Sequence, residues 1–320
     1  MRALIRDIIA PRFESPHLAP LRDGARLGLP GTEIVFTTDS YVVQPIDFPG
    51  GDLGTLAVCG TVNDLLVMGA RPRFLSLALI IEEGLPLATL QRILESIART
   101  ARVAGVEIVT GDTKVVPRGH CDQLFINTAG IGSYPLGFGL CPDPVAPGDA
   151  IIVSGTLGDH AIAILSARDG LALNIPTRSD CAPLTDLISA ALTAHSGIKW
   201  MRDPTRGGVA AVLSELCEEF PLGVQIDETA LPVQPATTAV CELLGYEPLH
   251  LANEGKVIMV VDRDSAPQVL ATLRAQSDGA NAAVIGELSS DLPGMVRLKT
   301  AAGGIRRLQR PAGELLPRIC

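Results

Sequence analysis

TTDSYVVQPIDFPGGDLGTLAVCGTVNDLLVMGARP, residues 37–72, is the stretch from which the fold can be read. Thr37-Thr38 closes a strand-like run from Glu33 to Thr38, and apolar residues then recur at helical spacing from Leu53 to Met68. Working outward, Phe74–Ile81, Val106–Thr110 and Gln123–Ile131 read as strands and Leu87–Ala104 as a second helix, so residues 1–134 are expected to form an α/β domain. Residues 135–148 hold four prolines (Pro135, Pro142, Pro144, Pro147) and several glycines, which is linker composition. A second α/β domain is expected over 149–308. It opens with the strand Ala150–Ser154, the Gly-rich turn Gly155–Gly158 and the helix Asp159–Ala167. Helices follow near Pro183–Ala194, Gly208–Glu219, Ala236–Leu244 and Ala266–Ala275, with strands at Leu222–Ile226, Val257–Val261 and Ala282–Glu287. The fold class is therefore α/β (α+β), two domains plus a mobile tail over 309–320. No helix or strand pattern claims the stretch bearing Arg306, Arg307, Arg310 and Pro311.

Composition narrows the function. At 320 residues, 47% hydrophobic and 19% charged, the chain is long enough for two cores. Its longest apolar runs, such as Phe74–Ile81, are strand-sized, so no membrane segment is expected. The amino terminus lacks a signal-peptide pattern, which makes the cytoplasm the expected compartment and reduced thiols the expected state of the seven scattered cysteines. The six internal ones read as small buried hydrophobes. A net charge of −9, with only 3% aromatic residues and no basic stripe, argues against nucleic acid. Any phosphate chemistry must come from local groups and a metal.

Three carboxylates carry that possibility. Asp39 follows the strand ending Thr37-Thr38, Asp64 sits beside Asn63 inside a helix, and Asp112 follows a strand in Gly111-Asp112-Thr113-Lys114. Mg²⁺ takes a few carboxylates and completes its octahedron with water and phosphate oxygens. An Asp after a strand also serves as a turn former, but a mid-helix acid between Val62 and Leu65 wants a metal, a cation or an N–H partner if buried. Farther on, Asp203-Pro204-Thr205-Arg206-Gly207-Gly208 runs into a helix, where glycines let backbone approach an anion and Arg206 can contact phosphate, or where Asp203 or Thr205 simply opens a turn. No GxxxxGK[ST] and no GxGxxG occurs, so ATP binding would use neither a P-loop nor a Rossmann turn. The chain ends on Cys320, in Pro317-Arg318-Ile319-Cys320. A thiol on a mobile tail can be loaded at one site and processed at another, although the adjoining α-carboxylate disfavours its thiolate and calls for a cation or base nearby.

The string at 37–72, together with GDTKVV from Gly111, RDPTRGGVA from Arg202, ANEGKV from Ala252 and the terminal PRIC, resembles the HypE family of hydrogenase maturation proteins. That family belongs to the superfamily of aminoimidazole ribonucleotide synthetase and selenophosphate synthetase. The resemblance spans essentially the whole chain. It implies a carbamoyl dehydratase: a carbamoyltransferase, HypF, loads the terminal cysteine, here Cys320, ATP activates the amide oxygen, and the resulting cyano group passes to iron on a HypC–HypD complex for [NiFe]-hydrogenase. Glu254, in Asn253-Glu254-Gly255-Lys256, and Lys114 match the acid-base positions, and each needs burial or partners to tune it. Asp39, Asp64 and Asp112 match the Mg²⁺ carboxylates, with Thr38, Asn63, Thr113, Asp203 and Arg206 around ATP. The resemblance further implies a homodimer with ATP at its interface and a tail that swings inward for dehydration and outward for loading. Family members carry a Gly-rich HGSGG-type stretch ahead of the segment that here reads MRALIRDIIAPRF, so ATP binding by the chain as given is expected to be weaker. Two readings compete: another superfamily enzyme, such as selenophosphate synthetase or a purine-pathway ligase, or a non-catalytic dimeric thiol carrier. The absence of a cysteine before Asp39 speaks against the selenium enzyme.

Overall fold

The structure, a computed structural model, describes residues 23–168, 176–311, 316 and 319–320. The segment MRALIRDIIAPRF and tail residues Pro317 and Arg318 lie outside the described residues. In the first half, β1 (Ala25–Leu29), β2 (Thr32–Tyr41), β5 (Arg71–Glu82), β6 (Glu107–Val116) and β7 (Leu124–Tyr134) form a sheet in the order β1-β2-β7-β5-β6. A two-stranded ribbon, β3 (Asp47–Phe48) with β4 (Gly51–Asp52), sits between β2 and the first helix, α1 (Leu53–Val67). The second half builds a seven-stranded sheet on β8 (Ala150–Val153), β9 (Ile198–Arg202), β10 (Gly223–Asp227), β11 (Ile258–Val261), β12 (Ala283–Ser289), β13 (Val296–Lys299) and β14 (Ile305–Leu308). Its helices are α3 (Asp159–Ala167), α4 (Thr185–Ala194), α5 (Gly208–Glu219), α6 (Pro235–Leu244) and α7 (Ala266–Arg274). Among the described strands only β5–β6 and β10–β13 pair in parallel, so both sheets are mainly antiparallel and the α+β description fits better than a doubly wound one.

α1 organises the first half. All its residues except Thr55 and Asp64 are buried, the signature of a helix enclosed on every side. Asp52 caps it, accepting from Thr55 N at 2.8 Å, and Ser96 of α2 (Leu87–Ala104) donates to the other Asp52 oxygen. By contrast α2 buries one stripe, Ile93, Ser96, Ile97, Thr100, Ala101 and Ala104, and stops at the left-handed Gly105. One continuous apolar core joins Leu56, Val62 and Leu66 of α1 to Leu184, Ile188, Met201 and Met259 of the second half.

Several expectations shift. Asp39 and Asp112 lie within β2 and β6 rather than after them, because both strands run on past their apolar segments. Arg306 and Arg307 belong to β14, whose pairing with β13 fixes a hairpin that alternation alone did not reveal. Of the internal cysteines, Cys59, Cys181, Cys217 and Cys241 are buried, but Cys121 and Cys141 are half-buried. Among the described residues no helix is long and apolar enough to cross a membrane.

Gly54 tests the packing of α1. A Cβ there would stand 2.5 Å from the Ile93 carbonyl oxygen and 3.0 Å from Ile97 Cγ1. Helix propensity alone would make Gly54→Ala stabilising by about 1 kcal/mol. The backbone clash should win, lowering stability by about 1–3 kcal/mol in chemical denaturation.

Candidate functional site: an acidic cleft facing the terminal thiol

Asp64 is one of two α1 residues not fully buried, Asp23 lies two residues before β1, and Asp203 directly follows β9. Carboxylate oxygens of these three all lie within 4.8 Å of one another. Arg202 Nε donates to both Asp23 oxygens at 2.8 and 2.9 Å, while its Nη1 reaches Glu215 at 2.7 Å. Crowded acids resist ionisation. Burial, then the charges of Asp203, Asp23 and Asp39, drives the Asp64 pKa well above the ordinary carboxylate range. Burial and the Asp23 charge push Asp203 up to about 7. Hydrogen bonding agrees: Thr37 Oγ1 lies 2.6 Å from the Asp23 carbonyl and 2.8 Å from Asp64 Oδ2. With one hydroxyl hydrogen, Thr37 satisfies both contacts when it donates to the carbonyl and accepts from a protonated Asp64. A divalent cation would take the place of that proton. Oxygen ligands at about 2.1 Å from Mg²⁺ stand roughly 3–4 Å apart, so oxygens gathered within 4.8 Å would need only a small adjustment to share one ion.

Glu254 is placed by its backbone. Its N–H donates to Asp180 Oδ1 at 3.1 Å and its carbonyl accepts from Asn63 Nδ2 at 3.3 Å. Asn253 is fully engaged, accepting from Gly158 N and donating to the Pro204 and Leu251 carbonyls. Only glycine fits at 255, since a Cβ would overlap the Asp180 carbonyl. Burial raises the Asp180 pKa, but the Lys256 ammonium at 3.1 Å, together with His160 and the Glu254 N–H, holds it below its ordinary value. Among the described residues no cation pairs with Glu254 in this way. Its Oε1 is buried without a hydrogen-bond partner, and burial, with Cys181 and Asp203 adding, keeps its pKa well above the usual value. Such a carboxyl is a far stronger base than a solvated glutamate.

The described tail residues are turned inward. Leu316 and Ile319 are buried in the shared core, and Cys320 packs against it. Arg206 Nη2 donates to Cys320 Sγ at 3.5 Å. Burial and the nearby Glu254 push the thiol up to about 12, against the pull of Arg206. Seated here, the free thiol is a poor nucleophile at neutral pH.

Cys320, Glu254, Arg206, Asp203, Asp64 and Asp39 therefore converge. Asp39 stands exposed at the rim, and partial desolvation raises its pKa, with Asp23 adding to the effect and the Ser40 N–H and Arg206 opposing it. Asp112, Thr113 and Lys114 do not join them. Asp39 pairs with Thr128, Thr128 with Leu77, and Leu77 with Gly111, which sets Asp112 three strands away, roughly 14 Å at about 4.8 Å per strand. Asp112 and Thr113 instead line an open groove of about 530 Å³, and Lys114 is exposed. Within one chain the acidic triad is thus Asp23, Asp64 and Asp203, not Asp39, Asp64 and Asp112. Asn63 has a different task from the one expected. Its amide donates to Ala182 O and Glu254 O and accepts from Leu184 N, bracketing the two halves rather than facing a nucleotide. Thr38 is exposed and bonds to the Thr128 carbonyl at 3.1 Å. Gly208 serves backbone packing against Leu249 and Leu251, since a Cβ would lie 2.5 Å from the Leu251 carbonyl. The residues not singled out in the sequence are Asp23, Arg202, Asp180, Lys256 and His160. Arg202 and Lys256 lie inside motif strings, but Asp23 carries no local signal.

Residues 22–134 match the family "AIR synthase related protein, N-terminal domain", and residues 146–296 match its C-terminal counterpart. Carbamoyl dehydratase HypE of Rhodobacter capsulatus is 49% identical over 323 residues, covering 100% of this chain and 95% of that protein. The crystal structure of a HypE–HypF complex matches with a TM-score of 0.90 at 45% identity, over 97% of this chain and 100% of that one. A HypE crystal structure in complex with ATP matches with a TM-score of 0.86 at 46% identity, over 100% and 96% of the two chains. With an acidic cleft, a buried unpaired glutamate and a terminal thiol in one place, and with this likeness running from end to end, the chain belongs to the HypE family of carbamoyl dehydratases within the AIR synthase superfamily.

Proposed function

We propose that the protein dehydrates an S-carbamoyl group on its own Cys320 to a thiocyanate, at the expense of ATP. The observation that carries this reading is the seat of Cys320, with Arg206 at 3.5 Å and the unpaired Glu254 carboxyl beside it. In the reaction the amide oxygen takes the γ-phosphoryl group and ADP departs. The C–O bond then breaks with phosphate as leaving group, the nitrogen gives up its two protons, and S–C≡N remains. MgATP supplies the leaving group, since hydroxide would leave too slowly. Asp23, Asp64 and Asp203 fit the metal, with Asp39 at the rim. Glu254 accepts a proton from nitrogen, and Arg206 orients the sulfur end. The high proton affinity of the tucked thiol means that loading by a carbamoyltransferase of the HypF type takes place with the tail, residues 309–320, turned outward. Delivery of cyanide to a HypC–HypD acceptor requires the same outward state. We place this chemistry in the cytoplasm. The nucleotide belongs to residues 1–134, which the linker 135–148 joins to the thiol-holding domain, 149–308.

A second copy of the chain completes the site. β6 is exposed on both faces, with apolar Ile108, Val109 and Val115 open to solvent, and Phe36, Phe74, Ile80 and Ile131 of the same sheet are exposed too. Such an edge invites pairing. A homodimer built there covers it and gives Asp112, Thr113 and Lys114 of the second copy a route to the nucleotide.

Peptide mass spectrometry after incubation with the carbamoyltransferase, carbamoyl phosphate and MgATP should show a carbamoyl adduct on Cys320 that then loses one water. Cys320→Ala should show neither, and an adduct-free wild type would refute the reading. Glu254→Gln should load normally but dehydrate about 10²-fold or more slowly in single turnover. Val109→Asp should shift sedimentation from dimer toward monomer; an unchanged dimer would place the interface elsewhere. At pH 8, iodoacetamide should alkylate Cys320 in the folded protein at least about tenfold more slowly than in the isolated C-terminal peptide, since its thiolate fraction is that much smaller.

A further inference from the structure

The tail is held by a residue that the dehydration reading does not use. His160, the second residue of α3, is fully buried, followed by the buried apolar run Ala161–Leu165. Its Nε2 lies 2.8 Å from the carbonyl oxygen of Ile319, the peptide group that leads directly into Cys320. Its Nδ1 lies 2.7 Å from Ser179 Oγ.

Hydrogen-bond bookkeeping fixes the tautomer. A carbonyl oxygen only accepts, so Nε2 carries the hydrogen and donates to Ile319. Nδ1 is then the acceptor and Ser179 the donor. Ser179 Oγ in turn accepts from Cys181 N at 3.0 Å, so the relay runs in one direction from backbone to tail. Burial lowers the His160 pKa, which keeps the ring neutral and this polarity intact. The ring is also clamped sideways. Phe48 meets it edge-on, with centroids 5.5 Å apart and planes at 87°, and Ser179 N donates to the Pro49 carbonyl at 2.7 Å. Phe48 and Pro49 come from the β3–β4 ribbon of the first half, whereas His160 and Ser179 come from the second. The donor offered to the tail is thus oriented by both halves at once.

The geometry points to His160 as a positioning residue: its Nε2–H, oriented by Ser179 and Phe48, clasps the Ile319 carbonyl and so seats Cys320 beside Arg206 and Glu254. It touches neither the thiol nor the reacting amide. Leu316 and Ile319 supply apolar attachment without direction, and the His160 bond sets the depth and rotation of the last peptide. This role deepens the self-dehydration reading and rests on it.

The test separates the two. Cys320 alkylation by iodoacetamide at pH 8, read on the C-terminal peptide by mass spectrometry, reports seating without any carbamoyl chemistry. His160→Ala should raise that rate at least about tenfold, because the outward tail exposes an ordinary thiol. His160→Gln, which keeps an N–H at similar reach, should return it to within about threefold of wild type. Carbamoyl loading should persist in all three proteins, while single-turnover dehydration falls only in His160→Ala. Ser179→Ala leaves the ring in place and removes its orienting partner; a several-fold faster alkylation with an unchanged melting curve supports the assignment even if His160→Ala fails to fold. Wild-type alkylation and dehydration rates in a folded His160→Ala, or in Ser179→Ala if that variant alone folds, overturn it. If wild type never acquires a carbamoyl group, the self-dehydration reading falls, and the alkylation ratios still decide whether His160 holds the tail.

Discussion

A helix buried on every side sets the terms for this structure. α1 shows almost no surface to water, so neither the five-stranded sheet nor the second half can cover it alone. Its polar residues are then obliged to find protein partners. Asn63 does so completely, with three hydrogen bonds to backbone of the second half. One of those goes to the carbonyl of Glu254, so the bracket that joins the halves also fixes the position of Glu254. Asp64, one residue on, faces Asp23, Asp203 and Asp39 with Thr37 as hydrogen-bond partner, and this is where the proposed cation is placed.

Charge is distributed to match. Where the structure needs rigidity, an acid has a cation, as with Asp180 and Lys256 or Asp149 and Lys199 at 3.0 Å, while Arg202 holds Asp23 within the acidic cluster itself. Where chemistry is proposed, Asp64, Asp203 and Glu254 crowd together and hold protons beyond their ordinary range. Burial and like charge act in the same direction there. Arg206 moderates both the rim carboxylate Asp39 and the Cys320 thiol without cancelling either shift. The cleft therefore disfavours both fully ionised carboxylates and a free thiolate, in keeping with the proposed carrier that is loaded elsewhere.

The tail gains its direction from the same junction. Apolar burial of Leu316 and Ile319 is non-directional. His160, aligned by Ser179 and Phe48, adds a directional bond to the peptide just before the terminal cysteine. Because both halves contribute to that alignment, loosening their contact would loosen the tail as well.

Much of this was legible in the linear chain. Helical spacing gave Leu87–Ala104, Asp159–Ala167 and Gly208–Glu219 their limits, because apolar faces and glycine caps are local properties. The motif strings marked Asp64, Asp203, Arg206, Glu254 and Cys320, residue types whose chemistry shows in one dimension. Hidden were the pairings that depend on distant register. Nothing near Asp23 announces that it meets Asp64 and Asp203, and nothing near Asp112 reveals that it stands three strands from Asp39. Asn63 sits in a motif yet serves as a bracket, because its partners are backbone groups more than a hundred residues away. The sequence by itself determined two α+β halves and the reactive side chains they carry, since periodicity and residue chemistry act locally. Only the tertiary structure decided which acids share a cleft and what seats the terminal thiol, since strand order and burial bring together residues that the chain keeps far apart.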